Sequence, residues 1–284
     1  MNIEKIEATY VPQMPPGPQG DDFITNRPFF GVMDGFNPPY HYKMEKPLFF
    51  GTDGEEMVRK AALSTFYSAQ PDQSLEDIIL KANQKIDQIQ TACGIPANQA
   101  GLRAGASFSF AKVNAGTIEI VQGGDCFAVV SYISGKIGVT KNRAYQHVSE
   151  NLLIIDKLLK KHGGDNREMW VEFCPVLSER RQKTINQETG YASLNGQPAL
   201  EKCWQKISLP TDGLQFLLLF SDGFVLYPET ANGLHLKMAE KMVESYRKSG
   251  IGGFIEKKIR ESEKNPKTSY VRRDEAVAVA VTFV

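Results

Sequence analysis

The chain predicts an antiparallel α+β layered domain, and three observations carry that reading. Apolar segments alternating with period two crowd residues 105–140, joined by connections too short for helical crossovers. Two amphipathic helices stand side by side between residues 55 and 92. The first and last segments, 3–11 and 275–284, both read as strands too apolar to stand alone, so they are expected to pair in one sheet. Residues 1–284 then form a single domain.

In chain order, Ile3, Ile6, Ala8, Tyr10 and Val11 lie among polar neighbours and give the first strand. Pro12 to Gly20 holds four prolines and two glycines and is a loop. Phe29 to Met33 is a buried strand ending at Asp34-Gly35, followed by a second proline-rich loop from Asn37 to Pro47. Glu55 to Ala69 carries Met57, Val58, Ala61, Ala62 and Phe66 at helical spacing until Pro71-Asp72 break it. Ser74, with Asp77 three residues on, caps a second helix whose stripe is Leu75, Ile78, Ile79, Ala82, Ile86 and Ile89. Gly94 and Pro96 end it. From Gly105 the period is that of a meander of about four strands, running to Thr140. Asn151 to Lys161 is a short amphipathic helix closed by His162-Gly163-Gly164. Residues 163–200 are polar with sparse apolar periodicity, and read as an insert or mobile flap. Ile207 and Leu209 open another strand, and Phe216 to Phe220 is a buried strand running into Ser221-Asp222-Gly223. Helices are expected near 234–248 and 252–264, before the valine-rich closing strand.

Charge and cysteine usage exclude several classes. Lys+Arg and Asp+Glu both number 33, so the net charge of zero gives no general pull toward nucleic acid or an anionic membrane. Any anion site must be local. Cys93, Cys126, Cys174 and Cys203 lie far apart with no C-x-x-C pair, which argues against a zinc knot and for free thiols in a reducing cytoplasm. The N-terminal residues alternate charge with apolar side chains, unlike a signal peptide. No run approaches the roughly 18 apolar residues of a membrane span.

The chemistry is expected in the acids. Asp34, Asp125 and Asp222 each stand where an apolar strand meets a turn, and Asp22 and Asp274 each precede an apolar stretch. Asp-Gly after a strand is ordinarily hairpin chemistry. Neither Asp34-Gly35-Phe36-Asn37-Pro38 nor Asp222-Gly223-Phe224-Val225-Leu226 continues as a two-residue hairpin, however. Carboxylates gathered at strand ends repel unless cations lie between them. Oxygen-bound divalent ions are the usual answer, and a glycine after Asp34 would let its carbonyl approach one closely.

Five motifs in order resemble those of the PP2C (PPM) metal-dependent protein phosphatases, along nearly the whole chain. They are Asp21-Asp22; Phe29-Phe30-Gly31-Val32-Met33-Asp34-Gly35; Gly123-Gly124-Asp125-Cys126; Leu217-Leu218-Leu219-Phe220-Ser221-Asp222-Gly223; and Asp274-Glu275-Ala276-Val277. The stretch from Gly190-Tyr191-Ala192-Ser193-Leu194 to Gly223 is similar to a bacterial branch. The resemblance implies two stacked antiparallel sheets flanked by helix pairs. It implies two Mn²⁺ or Mg²⁺ ions, bridged by Asp34. Asp222 and Asp274 would complete one ion, and Asp21 or Asp22 with the Gly35 carbonyl the other. Asp125 would serve a weaker third. It also implies a cytoplasmic signalling hydrolase acting on phosphoserine or phosphothreonine, with the phosphoprotein product of a Ser/Thr kinase as its partner. The alternatives are an inactive relative serving as a binding module, or a small-molecule phosphohydrolase.

Two departures matter. Phe36 stands where many relatives carry a proton-donating histidine, leaving His41 and His147 as substitutes, each read first as a surface residue. Pro12 to Gly20 contains no cation, where relatives place an arginine for the substrate phosphate. Arg27, Arg103 and the Arg180-Arg181 pair remain, each read first as a solvated charge.

Overall fold

The computed structural model describes residues 2–12, 19–224, 234–264 and 275–284. Ten strands form two five-stranded antiparallel sheets. The first holds β1 (Ile3–Val11), β10 (Ala276–Phe283), β9 (Leu214–Phe220), β6 (Phe127–Tyr132) and β7 (Ile137–Val139), in that spatial order. The second holds β2 (Asp22–Ile24), β3 (Phe29–Phe36), β4 (Gly105–Val113), β5 (Thr117–Gly123) and β8 (Gln205–Pro210). The end strands do pair, β1 against β10, with Tyr10 opposite Val277.

Alternation along the strands builds the layers. Phe30 and Val32 of β3, Leu217 and Leu219 of β9, and Val277, Val279 and Val281 of β10 meet in the core between the sheets. Their neighbours Phe29 and Met33 point outward, onto α1 (Gly54–Tyr67) and α2 (Leu75–Ala92). On the opposite face Phe216, Leu218 and Phe220 meet Met242, Val243 and Phe254 of α6 (Leu234–Lys264). Ala278 and Ala280 of β10 face that helix too, and their small size lets it approach. The valine–alanine alternation of the last strand therefore encodes two different neighbours. Ser74 accepts a 3.0 Å hydrogen bond from the Asp77 amide, the cap that the sequence predicts. Gly250, at φ 61° and ψ −162°, breaks α6 into the two expected helical pieces.

Two expectations fail. The 105–140 meander is not one sheet: β5 pairs with β4 and β8, whereas β6 pairs with β7 and β9. The chain crosses between layers at Gly123-Gly124-Asp125. Gly124 holds φ +73°, and a Cβ there would fall 2.1 Å from the Ser107 hydroxyl. Short spacing alone does not reveal a change of layer.

Nor are residues 163–200 a polar flap. They include α4 (Asn166–Thr184), which follows α3 (Tyr145–Lys161) and is capped by Asp165 accepting from the Arg167 and Glu168 amides. Met169, Phe173 and Cys174 are buried. The helix was masked by Pro175 within it and by this short apolar list. Beyond the short α5 (Leu200–Cys203) the chain enters β8. Residues 185–197 are mostly buried although polar, because they bond to one another and to α2. Asn186 donates to the Ser193 carbonyl at 2.9 Å and to Asn195 Oδ1 at 2.8 Å, and Asn83 donates to the Gln197 carbonyl at 2.9 Å. Burial of polar groups is affordable when each finds such a partner.

Arg103 pins the same segment. It is fully buried, not solvated, and donates to the Asn195 carbonyl at 2.7 Å, the Ile95 carbonyl at 3.1 Å and Asp87 Oδ1 at 2.8 Å. All four cysteines are free thiols. Among the described residues no helix is long and apolar enough to cross a membrane.

Candidate functional site

Strand register gathers the acids at one end of the sandwich. Asp34 lies opposite Ser107, and Gly123 opposite Phe108, so Asp125 follows on the same edge. Phe220 lies opposite both Phe127 and Ala278, which brings Asp222, Asp125 and Glu275 to that edge from the other sheet. Asp22 pairs with Met33, so Asp21 precedes it at the same end.

Asp21 and Asp22 face different partners. Asp22 accepts from Arg59 of α1 at 2.7 Å and from the Phe23 amide at 2.8 Å. Asp21 is buried, 3% exposed, and accepts from the Ser221 hydroxyl at 2.8 Å. Burial first, then the neighbouring Glu275 charge, pushes the Asp21 carboxyl well above the usual carboxylate range. Asp222 adds to the push, while hydrogen bonds with Ser221 and Asp34 oppose it. Asp21, Asp34, Asp222 and Glu275 thus form one interacting group. Asp22, set in the sequence beside Asp34, Asp222 and Asp274, is instead spoken for by a guanidinium.

Two further residues build this corner: Ser221, to which sequence reasoning gave no role, and Glu275, expected there as an extra acid near the metals in place of the family's closing asparagine. The Ser221 hydroxyl donates a hydrogen bond to Asp21, while its oxygen accepts from the Val277 amide at 3.1 Å. Glu275 accepts from the Gly20 amide at 2.9 Å, the Asp21 amide at 3.1 Å and the Tyr10 hydroxyl. It clamps the loop that presents Asp21. A Cβ on Gly223 would stand 1.9 Å from the Glu275 carbonyl oxygen, so this approach demands glycine. Gly35 is likewise confined: its Cβ would meet the Gly20 carbonyl oxygen at 2.7 Å. Glu55, beside these glycines, is raised to about 7 by burial and by Asp53 and Glu275.

Asp34 and Asp125 open onto a cleft of about 180 Å³. Ser107, Phe36, His147, Tyr191, Arg180 and Arg181 also line it. Room for about six waters suffices for a phosphate monoester. His147 lies there beside Tyr191, with ring centroids 5.8 Å apart; His41 does not line it. Arg27 is exposed in the turn before β3.

Among the described residues no three His, Cys, Asp or Glu side chains stand as a ready-made metal cage, and Asp274 lies outside the described residues. The donor set nevertheless fits a hard divalent cation. It is all oxygen, partly buried, and crowded enough to push the Asp21 carboxyl well above the usual carboxylate range.

The layer order and the acid-bearing end define a PP2C-type fold. Bacterial phosphatases share it along their whole length. Serine/threonine phosphatase Stp1 from Staphylococcus aureus superposes with a TM-score of 0.55 at 14% identity, covering 100% of this chain and 96% of that one. The Mycobacterium tuberculosis phosphatase PstP gives 0.57 at 12% identity, covering 98% of both chains. A PstP catalytic domain solved with two manganese ions gives 0.56 at 12% identity, again covering 98% of both. The sequence matches no family model and no curated protein.

Proposed function

We propose that this protein is a metal-dependent phosphoric-monoester hydrolase acting on phosphoserine and phosphothreonine in proteins. The observation that carries this is the interacting group of Asp21, Asp34 and Asp222, of which Asp34 lines a cleft that also contains guanidinium groups. Asp21, Asp34, Asp222 and Asp274 would hold Mn²⁺ or Mg²⁺, with the Gly35 carbonyl as a further oxygen and Asp125 nearby for a weaker ion. Bound there, the ions would acidify a water nucleophile and neutralise charge on the phosphoryl oxygens. The fold of the neighbours and the manganese in one of them support this reading.

The chain's own residues do the positioning. Ser221 fixes the rotamer of Asp21. Glu275 fixes the backbone on which Asp21 stands. Asp34, at the end of a strand buried on both faces, is held rigidly at the cleft mouth. Asp22, neutralised by Arg59, keeps a second carboxylate out of the group and anchors β2 to α1.

The test is hydrolysis of an aryl phosphate and of a phosphothreonine peptide, with and without millimolar Mn²⁺ or Mg²⁺. Turnover is expected only with metal, and metal should raise the melting temperature by mass action. Asp34→Ala should abolish both effects. Hydrolysis of the aryl phosphate alone would make the substrate a small molecule. A melting shift without turnover would make the chain a binding module. No metal effect on either property would end the metal reading.

A further inference from the structure

The cleft contains a half-buried guanidinium, that of Arg181, whose hydrogen bond goes to a carbonyl and not to a carboxylate. Arg181 leaves the last turn of α4, stacks its guanidinium 4.3 Å from the centroid of the Phe36 ring, and donates one hydrogen bond, of 2.7 Å, to the Asn37 carbonyl. Burial lowers its pKa, and the nearest groups that oppose the shift are Tyr191 and Cys174, both neutral at pH 7. A guanidinium carries five donors, so one bond to a carbonyl leaves most of its fork unused. Its neighbour Arg180 is differently placed. It gives Nε to Asn151 Oδ1 at 2.6 Å and Nη2 to Glu150 at 2.5 Å, and so is engaged with α3.

The surroundings of Arg181 say what it awaits. Asp34 and Asp125 line the same cleft, while the hydrogen bond of Arg181 goes to the Asn37 carbonyl. Phe36 lies 4.3 Å from the guanidinium and restrains it, which is the preorganisation an oxyanion contact needs. A guanidinium set against an aromatic ring, with most of its donors unused and sharing the cleft with Asp34, matches a tetrahedral dianion lying between it and the proposed metal. We infer that Arg181 binds the phosphoryl group of the substrate, reaching it from α4 rather than from the cation-free loop before Asp21. The inference rests on the phosphohydrolase reading for the identity of the anion, and it gives Phe36 a role as the platform for Arg181.

The experiment compares wild type with Arg181→Met and Arg181→Lys, all loaded with Mn²⁺. Binding of inorganic phosphate is measured by calorimetry, and KM and kcat with p-nitrophenyl phosphate. A lost charge-assisted bond of about 1.5–3 kcal/mol corresponds to about 10–150-fold in affinity. Arg181→Met is therefore expected to weaken phosphate and raise KM by about that factor, with kcat within about threefold, since a ground-state anchor contributes uniform binding. Arg181→Lys should fall between, because an ammonium keeps the charge but loses the fork. A merely structural Arg181 would lower the melting temperature and leave phosphate affinity unchanged. Phosphate affinity within twofold of wild type in a folded Arg181→Met, or in Arg181→Lys should the methionine variant fail to fold, overturns the inference. So does a wild type that binds no phosphate at 10 mM, about the weakest useful anchor. Loss of phosphate binding in the variant beside a wild type without turnover would uphold Arg181 as an anion anchor and sink the hydrolase reading alone.

Discussion

Replacing Arg103 by methionine should destabilise the protein by about 3 kcal/mol, and the figure follows from its partners. The Ile95 carbonyl loses a charged donor, and the Asn195 carbonyl loses one of two, keeping only Gln90 at 2.9 Å. Bonds from a charged donor to such acceptors contribute about 1.5 kcal/mol each at the low end. The Asp87 side chain is 35% exposed, so its share of the ion pair is screened and adds at most a few tenths. Methionine returns some apolar packing through its unbranched stem. Large domains lose about 2 °C per kcal/mol, giving a melting drop of about 6 °C. Hydrogen exchange should localise the damage. In wild type, amides of 185–197 should be protected nearly as well as those of 216–220, and in Arg103→Met the first group should exchange faster while the second changes little. A drop under about 1 °C, or rapid exchange at 185–197 in wild type, would refute the claim that a buried polar network holds this segment.

Asp21→Asn tests the crowding of acids. A carboxyl raised in the folded state stabilises fully below its unfolded pKa and loses that contribution as pH climbs through the folded value. Without metal, the variant should therefore gain in melting temperature over wild type as pH rises from about 4 to 8; a difference flat with pH would contradict the crowding. With Mn²⁺ the order should reverse, because only wild type gains from the ion. Gly223→Ala should cost about 3 kcal/mol in thermal unfolding, since the Glu275 backbone has nowhere to go, while Gly116→Ala, with open space around it, should stay within about 0.5 kcal/mol. Ser221→Ala should lower stability by about 1–2 kcal/mol, leaving the Val277 amide unpaired, and should weaken Mn²⁺ binding measured by calorimetry.

Much of the fold could be read from side-chain period. Strands such as 216–220 and the two helices of 54–92 announce themselves because each meets one apolar neighbour layer per face. The helix Asn166–Thr184 did not, because its buried residues are few and Pro175 interrupts it. The segment 185–197 did not, because polar residues bury there by pairing with one another, which hydrophobic pattern cannot signal. For the site, strand ends located Asp34, Asp125 and Asp222, but sequence left Asp21 and Asp22 undecided. Asp21 lies just before β2 and Asp22 opens it, and only the position of Arg59, 37 residues after Asp22, tells which of the two it engages. Arg181 was unreadable for the same reason: its meaning lies in Phe36, a contact across 145 residues.

The pairing of β1 with β10 has a consequence for how the chain is made. β10 is an interior strand, flanked by β1 and β9, so β1 finds its sheet neighbour only once residues 276–283 have been made. Ser221 and Asp21 meet only across that same junction, since the Val277 amide locks the serine in place. A nascent chain arrested before residue 275 would hold its acids on separate, unclosed sheets. The acids are thus all made before the strand that joins them, and the corner closes only when β10 takes its place.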